Sequence, residues 1–309
     1  MEHIYDMIVV GGGPGGYTAA LYGVRAGLDT LVVEKMSAGG QMTLTTQIDN
    51  YPGFENGVDG NELGEKMRLG AERFGAKTEY AEVLSLELEG EIKKVVTSTG
   101  ELLSRTVILA TGASPRRLGI PGEAEFTGLG VSYCAACDGM LYRGRTVVVA
   151  GGGNTAAHDA ITLSRICEKV IVIHRRDTLR ASRVYHEPLA AAKNIEFRWN
   201  SAITEIHGDD IVSGVTIKDL KTGETGELEC GGVFVCIGRE PASALVRGKL
   251  ECDETGYVIA DETTRTAIPG VYVIGDLRTK PLRQVVTAAA DGATAAHFAE
   301  QYLTEAAGR

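Results

Sequence analysis

The clearest indication of fold in this chain is one unit, made of a strand, a glycine-rich loop, a helix and a strand, that occurs twice. The first copy runs through IYDMIVV, GGGPGG, YTAALYGVRAG and LVVE, between residues 4 and 34. The second runs through TVVVA, GGGNTA, AHDAITLSRIC and VIVIH, between residues 146 and 174. The interval from the first loop glycine to the end of the second strand is equal, 34 − 11 = 23 and 174 − 151 = 23 residues. Such units form parallel sheets, so the sequence predicts an α/β protein with two nucleotide-binding modules.

Each glycine-rich loop contains the small residues that a bound dinucleotide requires. The first glycine of each loop, Gly11 and Gly151, permits a tight turn. The second, Gly13 and Gly153, lets a pyrophosphate approach the backbone, and the third position, Gly16 in the first loop, must be small for packing. The phosphates then lie at a helix N-terminus, where free N–H groups and the dipole favour negative charge. A single loop of this kind could be an ordinary turn, but two copies in the same context argue against that.

The residue that ends each unit distinguishes the two sites. Glu34 ends the first unit, and a carboxylate there accepts hydrogen bonds from the adenosine ribose, which suits FAD or NAD. In the second unit the stretch HRRDTLR supplies a cationic cluster of His174, Arg175, Arg176 and Arg180. Arginine side chains suit phosphate, so this site is predicted to bind the 2′-phosphorylated ribose of NADPH. The alternative is a solvated basic surface on an acidic protein.

The composition excludes several classes of function. The formal net charge of −10 argues against nucleic acid and against an anionic membrane surface as partners. No apolar stretch is long enough to span a membrane, and the start MEHIYDMIVVGGG lacks the features of a signal peptide. The chain is therefore predicted to be soluble and cytoplasmic. In a reducing cytosol its six cysteines do not indicate a framework of structural disulfides.

The motifs of this chain occur in the order of a known family. The chain resembles the low-molecular-weight, bacterial-type thioredoxin reductases, which belong to the flavoproteins with two dinucleotide-binding domains. The resemblance covers essentially the whole chain and rests on GGGPGG, GGQMTLTTQIDNYPGF, ATGASPR, CAACDG, GGGNTA, HRRDTLR and GDLRTKPLRQVV. The family tetrapeptide is often Cys-Ala-Thr-Cys, and this chain has Ala136 in the third position, a change from which we expect little consequence.

The resemblance implies a domain organisation. The fold would be α/β, with two Rossmann-like nucleotide-binding domains of the FAD/NAD(P)-binding, three-layer ββα type. Residues 1–114 and 244–309 would form the discontinuous FAD domain, and the inserted NADPH domain, residues 115–243, would carry the CxxC motif. The crossings lie near SPRRLGIPG and GREPASA, which contain Pro and Gly as linkers tend to. The family also implies a homodimer, which no pattern in the sequence shows.

The resemblance also implies the residues that bind the cofactors. FAD would be held by Gly11, Gly13, Pro14, Gly16, Glu34, Gly40, Gln41 and Asn50, with Gly112 of the ATGA stretch in the same module. Asp276 would bind the ribityl chain, and Arg283 and Gln284 would lie near the isoalloxazine. NADPH would be held by Gly151, Gly153, Asn154, Thr155, His174, Arg175, Arg176 and Arg180. An ordinary turn is the alternative interpretation of Asp276.

The CxxC motif, Cys134 and Cys137, has three possible roles. A structural zinc site needs four ligands, and the remaining cysteines form no second CxxC, so zinc is disfavoured and no metal is predicted. A bridge across so short a loop stabilises little, which argues against a structural disulfide. A redox dithiol is left. Buried small hydrophobic residues are the default interpretation of the other four cysteines, Cys167, Cys230, Cys236 and Cys252.

The resemblance implies a role for each residue of the redox motif. Cys137 would face the flavin, Cys134 would attack the disulfide of the protein substrate, and Asp138 would move protons to and from the thiols. Asp-Gly is also a turn signal, and both interpretations can hold together. Because the nicotinamide and the disulfide must each reach the flavin, the inserted domain is expected to rotate between two poses, as the family is thought to do.

Three functions remain as alternatives at this point. The first is an NADPH-dependent, FAD-containing reductase of oxidised thioredoxin. The second is a related flavoprotein reductase of another disulfide partner, such as a peroxidase or a glutaredoxin-like protein. The third is a non-catalytic flavin redox sensor. The complete set of motifs favours an enzyme, and a chain that begins directly at the FAD strand favours thioredoxin as the substrate.

Overall fold

The computed structural model describes residues 3–45 and 47–308. Its strands are β1 Ile4–Val10, β2 Thr30–Glu34, β3 Lys77–Tyr80, β4 Val83–Glu87, β5 Lys93–Thr97, β6 Glu101–Leu109, β7 Ala113–Pro115, β8 Val131–Ser132, β9 Thr146–Gly151, β10 Lys169–His174, β11 Ile195–Trp199, β12 Ser201–Gly208, β13 Val212–Asp219, β14 Thr225–Glu229, β15 Gly232–Cys236, β16 Arg239–Pro241 and β17 Val271–Val273. Its helices are α1 Pro14–Arg25, α2 Gly60–Glu72, α3 Ala135–Asp138, α4 Asn154–Ser164, α5 His186–Ala191 and α6 Val285–Ala307.

The chain divides into two compact units. The first unit contains Met1–Thr46, Tyr51–Ser114 and Glu240–Arg309. The second contains Gln47–Asn50 and Pro115–Arg239. The second unit is thus inserted in the chain of the first, and the four residues 47–50 group with it although they lie far from it in sequence.

The first unit is built on a mainly parallel sheet. Its strand order is β3-β2-β1-β6-β5-β4, and β17 also pairs with β6. Val10 lies opposite both Val33 and Leu109, so the central strands β2, β1 and β6 end at one edge of the sheet. The last four residues of β1 are buried on both sides, which is why its sequence is a continuous apolar run rather than an alternating one.

The second unit contains two sheets. The parallel sheet has the order β11-β10-β9-β15-β8, and a separate antiparallel sheet has the order β12-β13-β14. Alternate residues of β9 belong to two different cores. Val147 and Val149 pack with Ala160 and Leu163 of α4, whereas Val148 packs with residues of the antiparallel sheet. Helix, parallel sheet and antiparallel sheet are therefore stacked as three layers, which confirms the predicted fold class.

The two helices that follow the glycine-rich loops, α1 and α4, begin earlier than the sequence indicated. The predicted stretches start at YTAALYG and AHDAITL, but α1 begins at Pro14 and α4 at Asn154, inside the stretches assigned to the loops. Proline is accepted in the first turn of a helix because its missing N–H would have no partner there.

No helix in the two described stretches combines the length and apolar character that crossing a membrane would need.

Candidate functional site

The first glycine-rich loop, at the carboxyl end of β1, is shaped by close backbone contacts. Gly11 has φ +109°, and a Cβ atom there would lie 2.5 Å from the carbonyl oxygen of Ala110. A Cβ on Gly16 would collide with the carbonyl oxygen of Gly11. These two glycines are therefore required by the turn and by the packing of α1 against β1. Gly13 differs from both, because among the described residues, its two chain neighbours aside, no atom lies within 4 Å of the position its Cβ would take.

The second loop, at the carboxyl end of β9, repeats this pattern. Gly151 has φ +151°, and a Cβ there would meet the carbonyl of Cys236 and the side chain of Ala156. Gly153 again has no neighbour within 4 Å of its Cβ position. Thus in each loop the first glycine is close to the protein itself, and the second glycine faces open space.

The two loops fit a dinucleotide. Gly13 is the N-cap of α1 and Gly153 is the N-cap of α4, and no side chain within residues 3–45 and 47–308 caps the N-terminal N–H groups of either helix. An N-terminus with free N–H groups beside an open glycine is an anion site, and a pyrophosphate would fill it. Pro14 occupies the first position of α1, while the exposed Asn154 and Thr155 begin α4.

The carboxylate of Glu34 lies where the ribose of the first nucleotide is predicted. Its Oε2 accepts the N–H of Gly12 at 2.6 Å, and its Oε1 accepts the N–H of Met36 at 3.1 Å. These two bonds fix the carboxylate beside the glycine loop. Each oxygen keeps a free lone pair, so the group can also accept bonds from two ribose hydroxyls.

The remaining predicted FAD residues lie on several segments. Gly40 and Gln41 begin a short 3-10 helix, Gly40–Leu44. Gly40 lies next to Gly13 of the first loop, and a Cβ atom on Gly40 would be 3.4 Å from Gly13 Cα. Gly112 has φ +71° and open space at its Cβ position. Asn50 lies in the segment 47–50, which groups with the second unit, and its Nδ2 donates to the carbonyl of Ala136 at 3.2 Å.

Asp276, Arg283 and Gln284 come together at the start of α6. Asp276 belongs to a 3-10 turn, Gly275–Leu277, which is separated from β17 by Ile274 alone. The Nε of Arg283 donates to the carbonyl of Asp276 at 3.4 Å, and its guanidinium lies 3.8 Å from the ring centroid of Tyr257. Gln284 is the N-cap of α6 and forms a capping box with Thr287. The structure thus places the three residues at one helix N-terminus in the first unit.

Three predicted arginines surround the end of β10. Arg175, Arg176 and Arg180 are exposed, and none of them forms an ion pair with any residue of the described stretches. On a chain with net charge −10, three arginines without a carboxylate partner indicate a site for an anion rather than a neutralised surface.

His174, predicted as part of the cationic cluster, is buried. Its side chain lies beneath the second loop, where a Cβ on Gly152 would overlap the imidazole. Its Nε2 lies 3.0 Å from the carbonyl of Thr178, so the ring carries its proton on Nε2. Burial, together with the neighbouring arginines, lowers the pKa of His174 and keeps it neutral. The charge of the cluster therefore comes from the arginines, and His174 supports the loop from below.

The redox motif lies in the second unit. Cys134 and Cys137 form a disulfide, and both residues are half-buried. Cys134 is the N-cap of the short helix α3, and its N–H donates to Ser132 Oγ at 3.1 Å. Ser132 in turn donates to Asp138 Oδ2 at 2.6 Å, so one serine joins the disulfide to the neighbouring carboxyl group.

Asp138 has the environment of a proton donor. Its Oδ1 is buried and has no hydrogen-bond partner among the residues that the structure describes. Burial raises the pKa of Asp138, the hydrogen bond from Ser132 opposes this, and the charge of Asp49 adds to it. The net shift is upward, so this carboxyl group keeps its proton to a higher pH than an ordinary aspartic acid. A protonated carboxyl group in the residue that follows Cys137 is chemically able to donate a proton to a thiolate.

The other four cysteines are free thiols. Burial raises the pKa of Cys167 to about 11 and that of Cys230 to about 12, so these thiols stay protonated and unreactive. Residues 3–45 and 47–308 contain no group of three or more His, Cys, Asp or Glu side chains that could hold a metal ion.

Sequence reasoning missed several residues that complete these sites. Ser132 precedes the CxxC motif by two residues, and Ser182 donates its N–H to Asn154 Oδ1 at 2.8 Å at the start of α4. Neither residue has a motif of its own. The available signal for Ser132 was its position two residues before the CxxC motif, and serine is too common in turns for that to decide.

Comparisons with known proteins agree with this geometry. Residues 5–292 match the family described as pyridine nucleotide-disulphide oxidoreductase. The thioredoxin reductase of Treponema pallidum (strain Nichols) is 45% identical over 303 residues, which cover 98% of this chain and 98% of that protein. The bifunctional thioredoxin reductase/thioredoxin of Mycobacterium leprae (strain TN) is 46% identical over 312 residues, which cover 99% of this chain and 68% of that protein. The crystal structure of thioredoxin reductase from Streptococcus pyogenes MGAS5005 superposes with a TM-score of 0.93 at 42% identity, covering 99% of this chain and 100% of that one.

Proposed function

The chain belongs to the pyridine nucleotide-disulphide oxidoreductase family, and we propose that it is an NADPH-dependent flavoprotein that reduces the disulfide of thioredoxin. The observation that carries this function is the Cys134–Cys137 disulfide followed directly by Asp138, whose Oδ1 is buried, in a unit that also presents exposed arginines with no ion pair among the described residues. The relative that is 45% identical over nearly the whole chain is named thioredoxin reductase, and the 46% identical one is named bifunctional thioredoxin reductase/thioredoxin. The enzyme is an oxidoreductase with a redox-active disulfide.

Each unit has its own nucleotide in this proposal. The first unit binds FAD, with the open Gly13 at the pyrophosphate, Glu34 at the adenosine ribose and Asp276 at the ribityl chain. The second binds NADPH, with Gly153 at the pyrophosphate and the exposed arginines at the 2′-phosphate. The uncapped N-termini of α1 and α4 support the pyrophosphate assignments.

The chain's own residues handle the protons and thiols. When bound, FAD accepts hydride from NADPH and passes an electron pair to a disulfide. Breaking the Cys134–Cys137 bond with two electrons requires two protons to yield two thiols, and in this proposal the carboxyl group of Asp138, the residue after Cys137, supplies one of them. Ser132 orients Asp138 by donating to its other oxygen. Cys134, as a thiolate, then attacks the disulfide of thioredoxin, and Cys137 displaces the reduced product and re-forms the bond.

Other parts of the proposal rest on the resemblance alone. Rotation of the second unit between two poses would bring the nicotinamide and the disulfide in turn to the flavin. A homodimer, a cytoplasmic location and the absence of nucleic acid and membrane partners belong to the same proposal. A different disulfide protein as substrate is the second candidate, and the choice of acceptor in the following experiment separates the two.

Anaerobic stopped-flow absorbance tests the proposed function directly. The purified protein is mixed with NADPH, and then with oxidised thioredoxin, while NADH serves as the control nucleotide. We expect NADPH to bleach the flavin absorbance, NADH to do so poorly, and thioredoxin to restore it rapidly. Bleaching that thioredoxin fails to reverse would contradict thioredoxin as the substrate but would support the assignment of FAD and NADPH as cofactors. A colourless protein that takes up no FAD would contradict the FAD assignment.

Replacing Gly13 by alanine is expected to weaken FAD binding without harming the fold. The Cβ has open space in the protein, so the unfolding midpoint of the FAD-free form should not change. The methyl group would occupy the position of the pyrophosphate, and the dissociation constant of FAD should rise at least about tenfold, the effect of one lost charge-assisted bond. Gly70→Ala is the control, because Gly70 also has open space but lies on α2 away from the loop. Equal FAD affinity in both variants would argue against this pyrophosphate site.

Replacing Arg175 and Arg176 together by alanine is expected to remove the preference for NADPH. Two charge-assisted bonds to the 2′-phosphate are lost, so KM for NADPH should rise about 100-fold while KM for NADH changes little. Steady-state kinetics with both nucleotides measures the ratio. Arg198→Ala is the control, since Arg198 lies on the neighbouring strand β11 and pairs with Glu196. A parallel loss with both nucleotides would show that the arginines do not contact the 2′-phosphate.

A further inference from the structure

A buried charge cluster lies behind the turn Gly275–Leu277 in the first unit. Its members are Arg278, Lys280 and Asp291, whose side chains are only 2%, 4% and 7% exposed. Arg278 Nε donates to Asp291 Oδ2 at 2.9 Å and its Nη2 donates to Oδ1 at 2.8 Å. Lys280 Nζ donates to Oδ2 at 2.8 Å. Two cations thus share one carboxylate inside the protein.

The same carboxylate holds the turn itself. Asp291 Oδ2 accepts the N–H of Gly275 at 2.8 Å, which is the residue immediately before Asp276. Gly275 has φ +65°, so the turn is built in a conformation that most residues avoid. Asp291 lies on α6, and its bond therefore ties this helix to the turn that carries Asp276.

The cluster extends to the other predicted flavin residue. The carbonyl of Arg278 accepts Arg283 Nη2 at 3.1 Å, and Arg283 Nε also donates to the carbonyl of Asp276. Arg278 Nη1 further donates to the carbonyl of Thr279 at 3.1 Å. Positions 276, 278 and 283 are thus linked through backbone carbonyls to one buried ion group.

General stability does not account for this arrangement. Buried ions lose their hydration, and well-packed apolar residues of similar size are often as stable or more stable in their place. Burial alone would raise the pKa of Asp291, but the hydrogen bonds from Arg278 and Lys280 outweigh it and lower the pKa, so the carboxylate stays charged. A charged, fully bonded group of this kind is suited to fixing one conformation of the backbone around it.

We propose that Asp291 is a positioning residue for FAD, which holds Gly275 and Asp276 in their cofactor-binding conformation before FAD arrives. This inference rests on the proposed function, because it assigns FAD to the site beside Asp276. A turn that is already formed loses less conformational freedom on binding, so the carboxylate increases affinity without touching the cofactor.

Asp291→Asn tests the role of the carboxylate. The amide keeps the size of the side chain, but it has a single acceptor oxygen, and it leaves Lys280 without its carboxylate partner and Arg278 with only the exposed Glu262. We expect the dissociation constant of FAD, measured by titrating FAD-free protein and following flavin fluorescence, to rise about 10- to 100-fold. The affinity for NADP⁺ should stay within about twofold, because its proposed site lies in the other unit. The flavin midpoint potential should shift in the positive direction, because one negative charge is lost nearby.

Glu262→Gln is the matched control. Glu262 also contacts Arg278, with 3.3 Å between Oε2 and Nη2, but it is 86% exposed and does not reach Gly275. The substitution Glu262→Gln also removes one negative charge next to the Arg278 guanidinium. FAD affinity should nevertheless stay within about twofold, because the pair is exposed on the Glu262 side. Unchanged FAD affinity and potential in Asp291→Asn would overturn the inference, as would an equal loss in Glu262→Gln. If the wild-type protein itself failed to bind FAD, the proposed function would fall instead.

Hydrogen–deuterium exchange of FAD-free wild-type protein gives a second measurement that needs no substitution. We expect the amide of Gly275 to exchange slowly before FAD is added, because its N–H already donates a hydrogen bond to Asp291 Oδ2. Fast exchange that slows only with FAD would show that the cofactor forms the turn, and would overturn the inference. This measurement alone decides the matter if Asp291→Asn does not fold.

Discussion

Replacing Cys137 by serine should abolish the reduction of thioredoxin while NADPH still reduces the flavin. The Cys134–Cys137 disulfide is the proposed link between flavin and substrate, and a serine hydroxyl cannot take part in disulfide exchange. Loss of a covalent nucleophile typically lowers the rate by several orders of magnitude, so kcat with thioredoxin should fall by at least about 10³-fold. Reduction of a small artificial acceptor such as ferricyanide, which takes electrons directly from the flavin, should remain.

The variants Cys137→Ser and Cys134→Ser should differ in how readily they form a covalent complex with thioredoxin. With Cys137 absent, the thiol of Cys134 should displace thionitrobenzoate from a thioredoxin activated at a single cysteine, releasing one equivalent and forming a stable covalent complex. Cys134→Ser should form this complex poorly, since Cys137 is assigned to the flavin side. The matched control is Cys252→Ser, which replaces a half-buried free thiol and should leave turnover unchanged. Complex formation by the opposite variant would reverse the two roles.

The sequence predicted the strands and loops of the two proposed nucleotide sites because their physical requirements are local. A buried strand needs a continuous apolar run, and β1 is Ile4–Val10 as its sequence indicated. A tight turn against a neighbouring strand needs glycine, and Gly11 and Gly151 meet that need in both units. The family order of the motifs then predicted the fold class and the reductase function, and the comparisons confirmed both.

The features that sequence could not supply depend on contacts between distant residues. His174 is the last residue of β10, and only the packed structure shows that its ring fits beneath Gly152 instead of facing solvent with Arg175. Asp291 lies sixteen residues after Gly275 and has no motif around it, so its bond to that N–H is visible only in three dimensions. The helix starts were also misjudged, because the glycine loop and the first helical turn share residues.

Replacing Asp138 by asparagine should slow the formation of the two thiols by about 10²- to 10⁴-fold, the usual range for a lost general acid. Asparagine keeps the shape and the hydrogen bond to Ser132 but cannot deliver a proton. The measurement is the rate at which NADPH-reduced enzyme opens its disulfide, followed by stopped-flow absorbance. In contrast to the rate, the free energy of unfolding of Asp138→Asn at neutral pH should be higher than that of the wild-type protein. A carboxyl group with a raised pKa in the folded state stabilises the fold below its unfolded pKa and loses that contribution as pH rises through the folded value.

The pH dependence separates a proton donor from a residue that only shapes the turn. A general acid works in its protonated form, so the rate should be highest at low pH and fall as pH rises through the raised pKa of Asp138. We call this decrease of the rate with rising pH the falling limb of the pH profile. Ser132→Ala removes the hydrogen bond that favours the carboxylate of Asp138, so the falling limb should move to higher pH. Asp49→Asn removes a nearby negative charge, so the limb should move to lower pH. Asp138→Asn should lose the limb altogether and be more stable than wild type at neutral pH. If all three variants kept the wild-type pH profile, Asp138 would be a turn residue and the proton would have to come from solvent.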